Sequence, residues 1–379
     1  MTTSKNIFTI LQTKYGQGAF LNDEHAFKCR DSLVSLVRDH GNYRGVAERI
    51  AKDGLSFFTS TKDVASKENV LFMAAHVCFK YNVDNTPLVR SLVATSIVEQ
   101  GNVAMWFNNQ NLILLGDIPE SQHQRNVLYD SSLQQTKSQR RSNNLDILNY
   151  ILYHASDVPV KRYKRRRHFE LVAFVDAPVK VVFSEHLTTP LLIACRKVHS
   201  DMVLLLLRHG ADPLRTFGEH QHLFPKCPLE NIIIQMNGMG LVFDFNNAHP
   251  SMRFLQQSNP IRVRRESSRE RNLLRCLAYF CRVMPTLPIT NSKALENILN
   301  PAPMIGVKST NSSDDRMWVH QSFYERVSPY RTHNPPELLH LARVVIRNAI
   351  KTAWHPLHTS VFQLPLPRIL MNYLDLQDD

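Results

Sequence analysis

The run Thr189-Pro190-Leu191-Leu192-Ile193-Ala194, continued by Asp201-Met202-Val203 and by Leu205-Leu206-Leu207-Arg208-His209-Gly210-Ala211-Asp212-Pro213, decides how this chain folds. Thr189-Pro190 opens a helix, because proline is tolerated in a first turn whose amide donors have no intrahelical partner. Leu191 and Ala194 then set apolar groups along one face. A turn near His199 reverses the chain, and Val203, Leu206 and Leu207 line a second helix. Gly210 supplies a left-handed stop, with Asp212 on the way out. A two-helix unit of this size cannot bury its own faces, so at least three stacked units are expected.

Worn neighbours can be read on both sides. Asp146-Ile147-Leu148-Asn149-Tyr150-Ile151-Leu152, followed by Ala155-Ser156-Asp157-Val158, reads as a second helix and its exit turn. Val70-Leu71-Phe72-Met73-Ala74-Ala75 reads as a first helix, with residues 87–93 as its mate. Downstream, Pro228-Leu229-Glu230-Asn231-Ile232-Ile233 opens another unit, and residues 272–280 would be its distant second helix. Each also reads as an ordinary amphipathic helix of an irregular helical domain; their order and orientation favour an array. Residues 134–144 and 245–271, rich in Ser, Asn, Gln and Arg, read as exposed insertions, and Asn311-Ser312-Ser313-Asp314-Asp315 as a further loop.

Pro335-Pro336-Glu337-Leu338-Leu339-His340-Leu341-Ala342-Arg343-Val344-Val345-Ile346-Arg347-Asn348-Ala349-Ile350 has a separate logic. The prolines precede a helix, and Glu337 suits the positive end of its dipole. His340, Arg343 and Arg347 recur at helical spacing and read as one narrow wet stripe. The remaining surface, with Leu338, Leu341, Ala342, Val345, Ile346 and Ala349, is more apolar than a self-contained surface helix would expose. Such a helix needs neighbours on two sides: one can be the array, the other a partner that takes it in a groove. Then follows Leu364-Pro365-Leu366-Pro367-Arg368-Ile369-Leu370-Met371-Asn372-Tyr373-Leu374, an extended proline-stiffened segment before a short final helix.

The first of these stretches resembles one ankyrin repeat, carried by Thr189, Pro190, Leu191, Ala194, Gly210 and Asp212. Leu192 and Val198 stand where that family usually has His and Gly. Leu338, Ala342 and Ile346 resemble an elongin-binding box, in which a Leu is followed by a small residue and then an aliphatic; a small residue lets the partner approach, and each buried anchor contributes about 1.5–3 kcal/mol. Leu364, Pro365, Leu366 and Pro367 look like the cullin-selecting box of SOCS proteins. The whole is similar to the ankyrin repeat and SOCS box protein family. The resemblance implies an all-α fold, a degenerate ankyrin-repeat solenoid followed by a C-terminal helical SOCS box. Its expected parts are a helical N-terminal region at 1–60, worn repeats with polar insertions at 61–290 (clearest at 187–214), a linker at 291–334 and the SOCS box at 335–379.

By the same resemblance the chain is expected to be a non-catalytic substrate-recognition subunit of a ubiquitin ligase. Elongin C, paired with elongin B, would hold Leu338, Leu341, Ala342, Val345 and Ile346; Cullin-5 with a RING-box protein would meet Leu364 to Pro367; the array would hold a target protein whose identity the sequence does not give. Two other readings stay open, an ankyrin scaffold without ligase coupling and a basic nucleic-acid-binding protein.

Composition narrows the field. A chain of 379 residues, 43% hydrophobic and 21% charged, buries a core and exceeds what one core usually organises. No apolar stretch approaches the roughly 20 residues that cross a bilayer, and Met1 to Gln12 lacks the order of a signal peptide, so an intracellular location, cytoplasmic or nuclear, is expected, with no membrane partner. The six cysteines are scattered and expected to be free thiols. On a chain of net charge +12, the densest charge run is Lys161-Arg162-Tyr163-Lys164-Arg165-Arg166-Arg167. That run could be a nuclear signal or an acidic-ligand contact; with one aromatic and no accompanying nucleic-acid motif it reads first as a solvated loop, and nucleic acid is not an expected partner. His220, His222, Cys227, Cys276 and Cys281 could ligate metal by type, but not at zinc-site spacing, and Gly16-Gln17-Gly18 and Gly238-Met239-Gly240 lack the third glycine of a dinucleotide loop. No cofactor, metal or catalytic residue is expected.

Overall fold

The computed structural model describes residues 6–16, 23–61, 64–100, 137–163, 169–180, 187–216, 227–239, 268–287, 337–353 and 356–377. The fold is all-α with short strand pairings, and the chain divides into two units, Met1–Glu185 and His186–Asp379. The expected linker at 291–334, residues 245–267 and the loop from Asn311 to Asp315 lie outside the described residues.

The first unit contains α1 (Ile7–Tyr15), α2 (Asp23–Arg38), α3 (Tyr43–Ser60), α4 (Val64–Lys80), α5 (Thr86–Gln100) and α6 (Lys137–Ala155), then a hairpin of β1 (Pro159–Tyr163) and β2 (Phe169–Ala173). Asn6 and Asn42 begin α1 and α3 by accepting the amides of Phe8 and Gly45 on their side chains. The centre of α4, from Val70 through Ala75, is buried throughout, as its unbroken apolar run requires. It packs between α3 and α5, the latter holding the mate expected at residues 87–93. Gly54 makes the α3–α4 approach possible: a Cβ there would lie 3.1 Å from that of Ala74 and 3.3 Å from the Phe8 ring.

Two expectations are corrected here. Residues 137–144 are not an insertion loop but the first turns of α6; Lys, Gln and Arg form helices well, so polarity alone did not mark a break. The basic run does not begin in a loop either. Lys161, Arg162 and Tyr163 belong to β1, paired antiparallel with β2 from Pro159↔Ala173 to Tyr163↔Phe169. Val160 and Val172 point inward while Lys161 and Leu171 are exposed, the alternation of a half-buried hairpin.

The second unit contains α7 (Pro190–Arg196), α8 (Ser200–Arg208), α9 (Pro228–Gly238), α10 (Ser268–Val283), α11 (Leu338–Thr352), α12 (Leu357–Val361) and α13 (Arg368–Leu374). Its first four helices form two stacked hairpins. In sequence α7 pairs with α8 and α9 with α10; in space α7 packs on α9 and α8 on α10. Thr189 caps α7 by accepting the Leu192 amide at 3.0 Å, with Pro190 in the first turn. Cys227 precedes α9, where Pro228 again opens the helix and the Glu230 carboxylate accepts the Cys227 amide at 3.2 Å. Gln235 of α9 donates to the Cys195 carbonyl that ends α7, tying the hairpins together. Residues 268–271, expected within an insertion, form the first turn of α10, where Glu270 faces the favourable end of the dipole.

Candidate functional site

The surface of α11 is inverted relative to an ordinary amphipathic helix. His340, Arg343 and Arg347, expected as the wet stripe, are 0%, 1% and 6% exposed, whereas Leu338 is 82%, Leu339 52% and Val345 65% exposed. Ala342 and Ala349 lie on the same outer face. The reason is the company that the polar residues find. His340 Nε2 lies 2.7 Å from the Met284 carbonyl at the end of α10, and its Nδ1 accepts from Arg343 at 3.3 Å, which fits the neutral Nε2–H tautomer. The Arg343 guanidinium stacks 3.9 Å above the Tyr373 ring of α13. Arg347 donates to the Leu374 carbonyl of α13 at 2.7 Å and to the Leu207 carbonyl of α8 at 2.5 Å. Both acceptors lie in last helical turns, where carbonyls lack helical partners and the dipole favours a cation. Burial presses Arg347 down to about 9, so it stays charged at neutral pH.

A second buried node lies where α8, α12 and α13 meet. Asp375, fully buried, accepts from Arg208 at 3.0 and 2.5 Å, from Gln377 at 2.7 Å, and pairs with His358 Nδ1 at 2.6 Å. Burial alone would raise its pKa; the bonds from His358 and Arg208 outweigh that and hold the carboxyl below its ordinary value. Arg282 of α10 donates to the Leu376 carbonyl at 3.1 Å. The terminal helices are therefore bolted onto both hairpins by buried polar groups.

Leu357, Val361 and Leu374 form a small apolar core against which Ile346, Ile350, Leu364, Leu366 and Met371 pack. This divides the residues singled out in the sequence. Leu338, Ala342 and Val345 face out, Leu341 is half-buried, and Ile346 is partly committed to the internal core. Leu364 and Leu366 point inward while Pro365 and Pro367 are exposed. The segment is not simply extended: the Leu366 amide donates back to the Leu364 carbonyl at 2.8 Å, closing a three-residue turn on Pro365. Exposed Ile369 and Leu370 on α13 extend the apolar surface and were not singled out, although they sit next to the Leu-Pro-Leu-Pro run.

The repeat residues take their expected posts. Leu191 and Ala194 are fully buried, Gly210 adopts φ +92°, and the Asp212 carboxylate accepts the Leu214 amide at 2.9 Å. Gly210 also lies beneath Leu357, where a Cβ would come within 3.4 Å. Five cysteines are buried and Cys281 is half-buried; burial pushes Cys29 and Cys227 up to about 11 and Cys78 and Cys276 to about 12, which disfavours the reactive thiolate. Among the described residues no three metal-ligating side chains converge; His220 and His222 lie outside them.

Comparison with protein families agrees with this geometry. The SOCS box family model matches residues 334–375 and the ankyrin repeat model residues 186–216. The chain carries an ankyrin repeat and a SOCS box. That pairing matches the ankyrin repeat and SOCS box protein family and indicates a substrate-receptor adaptor of cullin-RING ubiquitin ligases. Comparison with curated proteins and with solved structures gave no significant match.

Proposed function

We propose that this protein is the substrate-recognition subunit of an elongin B/C–Cullin-5 RING ubiquitin ligase, acting inside the cell and without catalytic groups of its own. Residues 335–379 would couple it to the ligase, and the repeats within 61–290 would hold the target. Among the described residues no helix is long and apolar enough to cross a membrane. Catalysis then rests on proximity: a tethered target lysine meets the ubiquitin thioester at high effective concentration. We further infer, from the start Glu337-Leu338-Leu339-His340-Leu341 and the sparse repeats, a resemblance to ankyrin repeat and SOCS box protein 17.

The observation that carries the reading is the outward apolar face of α11. Buried cations hold the helix with Leu338, Ala342 and Val345 in solvent, where an elongin groove would cover them. Leu338→Ser with Val345→Ser removes two exposed anchors and spares the internal core. Affinity for the elongin pair should fall at least about a hundredfold, and cullin recruitment with it. Replacing the exposed Pro365 and Pro367 by Ala should instead keep elongins and weaken Cullin-5. Leu364 and Leu366 are unsuitable for that test because they also pack inside the module. Wild-type elongin recovery by the Leu338/Val345 variant in a pull-down would leave the uncoupled ankyrin scaffold as the better reading.

A further inference from the structure

The first unit contains a cavity of about 470 Å³ between α3, α4 and α6 that no part of the ligase coupling uses. Three of its walls are aromatic: Phe79, Tyr150 and Tyr153. Phe79 and Tyr150 meet edge to face at 5.7 Å, and Tyr150 and Tyr153 meet the His154 ring at 4.6 and 4.9 Å. The Tyr150 hydroxyl is fixed by donating to the Val83 carbonyl at 2.7 Å. Tyr153 is 42% exposed. His154 is 2% exposed and bonds Thr86 through Nδ1 at 2.8 Å. Burial pushes its pKa down. At the mouth stand Asp84 and Asp146, exposed and without an ion-pair partner among the described residues, opposed by Arg44, the one cation among the described lining residues.

Aromatic faces and an excess of carboxylate together favour a cation, since ring quadrupoles attract positive charge and two acids outweigh one base. On a chain of net charge +12, such a mouth is a local reversal of sign. We propose that this cavity takes a basic side chain, a lysine ammonium or an arginine guanidinium, presented by the protein that the ligase recruits. That the donor is the target rests on the proposed function; the cation preference does not.

The test titrates the full chain, with elongins where they co-purify, into labelled Ala/Gly peptides bearing one central Lys, Arg, norleucine or Glu at low salt. Lys or Arg should bind at least about fivefold tighter than norleucine, and comparing those two arms identifies the cation. Tyr153→Leu and the isosteric Asp146→Asn should remove that advantage with the melting temperature kept. Arg44→Ala should strengthen binding, which loss of structure would not do. Equal binding of norleucine and Lys, tightest binding of the Glu peptide, or no gain from Arg44→Ala would overturn the proposal. Elongin co-purification is read on the same samples, so failure of the ligase reading shows separately from failure of cation binding.

Discussion

Asp375 and the groups around it show how polar residues can organise an interior. A buried ion pair is a poor source of net stability, but removing one member leaves the other charge stranded, at a cost of about 3–5 kcal/mol. Asp375→Asn should therefore destabilise the second unit by about 3 kcal/mol or more, because Arg208 loses its partner and Arg347 a compensating charge. The same residues fix the pH dependence. Burial holds His209 neutral, well below the ordinary histidine value of 6.5, helped by the nearby charges of His358 and Arg208. Unfolded His209 takes up a proton as the pH drops past 6.5 and folded His209 does not, so stability falls with pH there. His76, lowered to about 4, and His154 act in the same direction in the first unit. Asp375 is depressed from 3.8, so its contribution is complete above that value and disappears at lower pH. Melting temperatures should decline in two stages, first between about pH 6.5 and 4 and again below about 3.8, and Asp375→Asn should erase part of the second stage alone. A flat profile from pH 7 to 4 would contradict the buried histidines.

Four helices end by one device that the sequence revealed only once. At Asn82, Val198, Gly210 and Leu376 the backbone enters the left-handed region, and paired amide bonds close the helix end. After α7, for example, Val198 donates to Cys195 and His199 to Ala194; after α8, Gly210 donates to Leu207 and Ala211 to Leu206. Gly210 could be read directly because glycine adopts this conformation without strain. Val198 and Leu376 could not, since each is kept there by burial, at 5% and 0% exposure, against a backbone preference of about 1–2 kcal/mol. The two effects nearly cancel at Val198. Val198→Gly should therefore shift stability by no more than about 1 kcal/mol, whereas Val203→Gly, fully buried within α8, should cost several. Equal losses in chemical denaturation would refute this assignment of strain. The inversion of α11 was hidden for a related reason. Spacing placed His340, Arg343 and Arg347 on one face, but only the carbonyls of Leu207, Met284 and Leu374, from distant segments, decide that this face points inward. The existence of the repeat and of the terminal helix was legible because local pattern specifies both; which side of the helix is buried was not.

Across the second unit, the SOCS box does more than present a surface. Repeat arrays need terminal elements that cover the last exposed faces. Here α11 packs on α10, Arg347 satisfies the end of α8, His340 that of α10, and Leu357 covers Gly210. The SOCS box thus also serves as the cap of the repeat helices, so the two form one cooperative body within this unit. Deleting residues 335–379 removes those bonds together and bares the apolar sides of α8 and α10. Amide hydrogen exchange should then accelerate through Pro190–Arg196, Ser200–Arg208 and Ser268–Val283, while the protection of α3 and α4 in the first unit changes little. A capping role also separates this lesion from Leu338→Ser with Val345→Ser, which touches only the outer face and should leave exchange in α7 to α10 as it was. If deletion leaves those helices as protected as in the full chain, the repeats are self-sufficient, and the buried arginines merely hold the module in place.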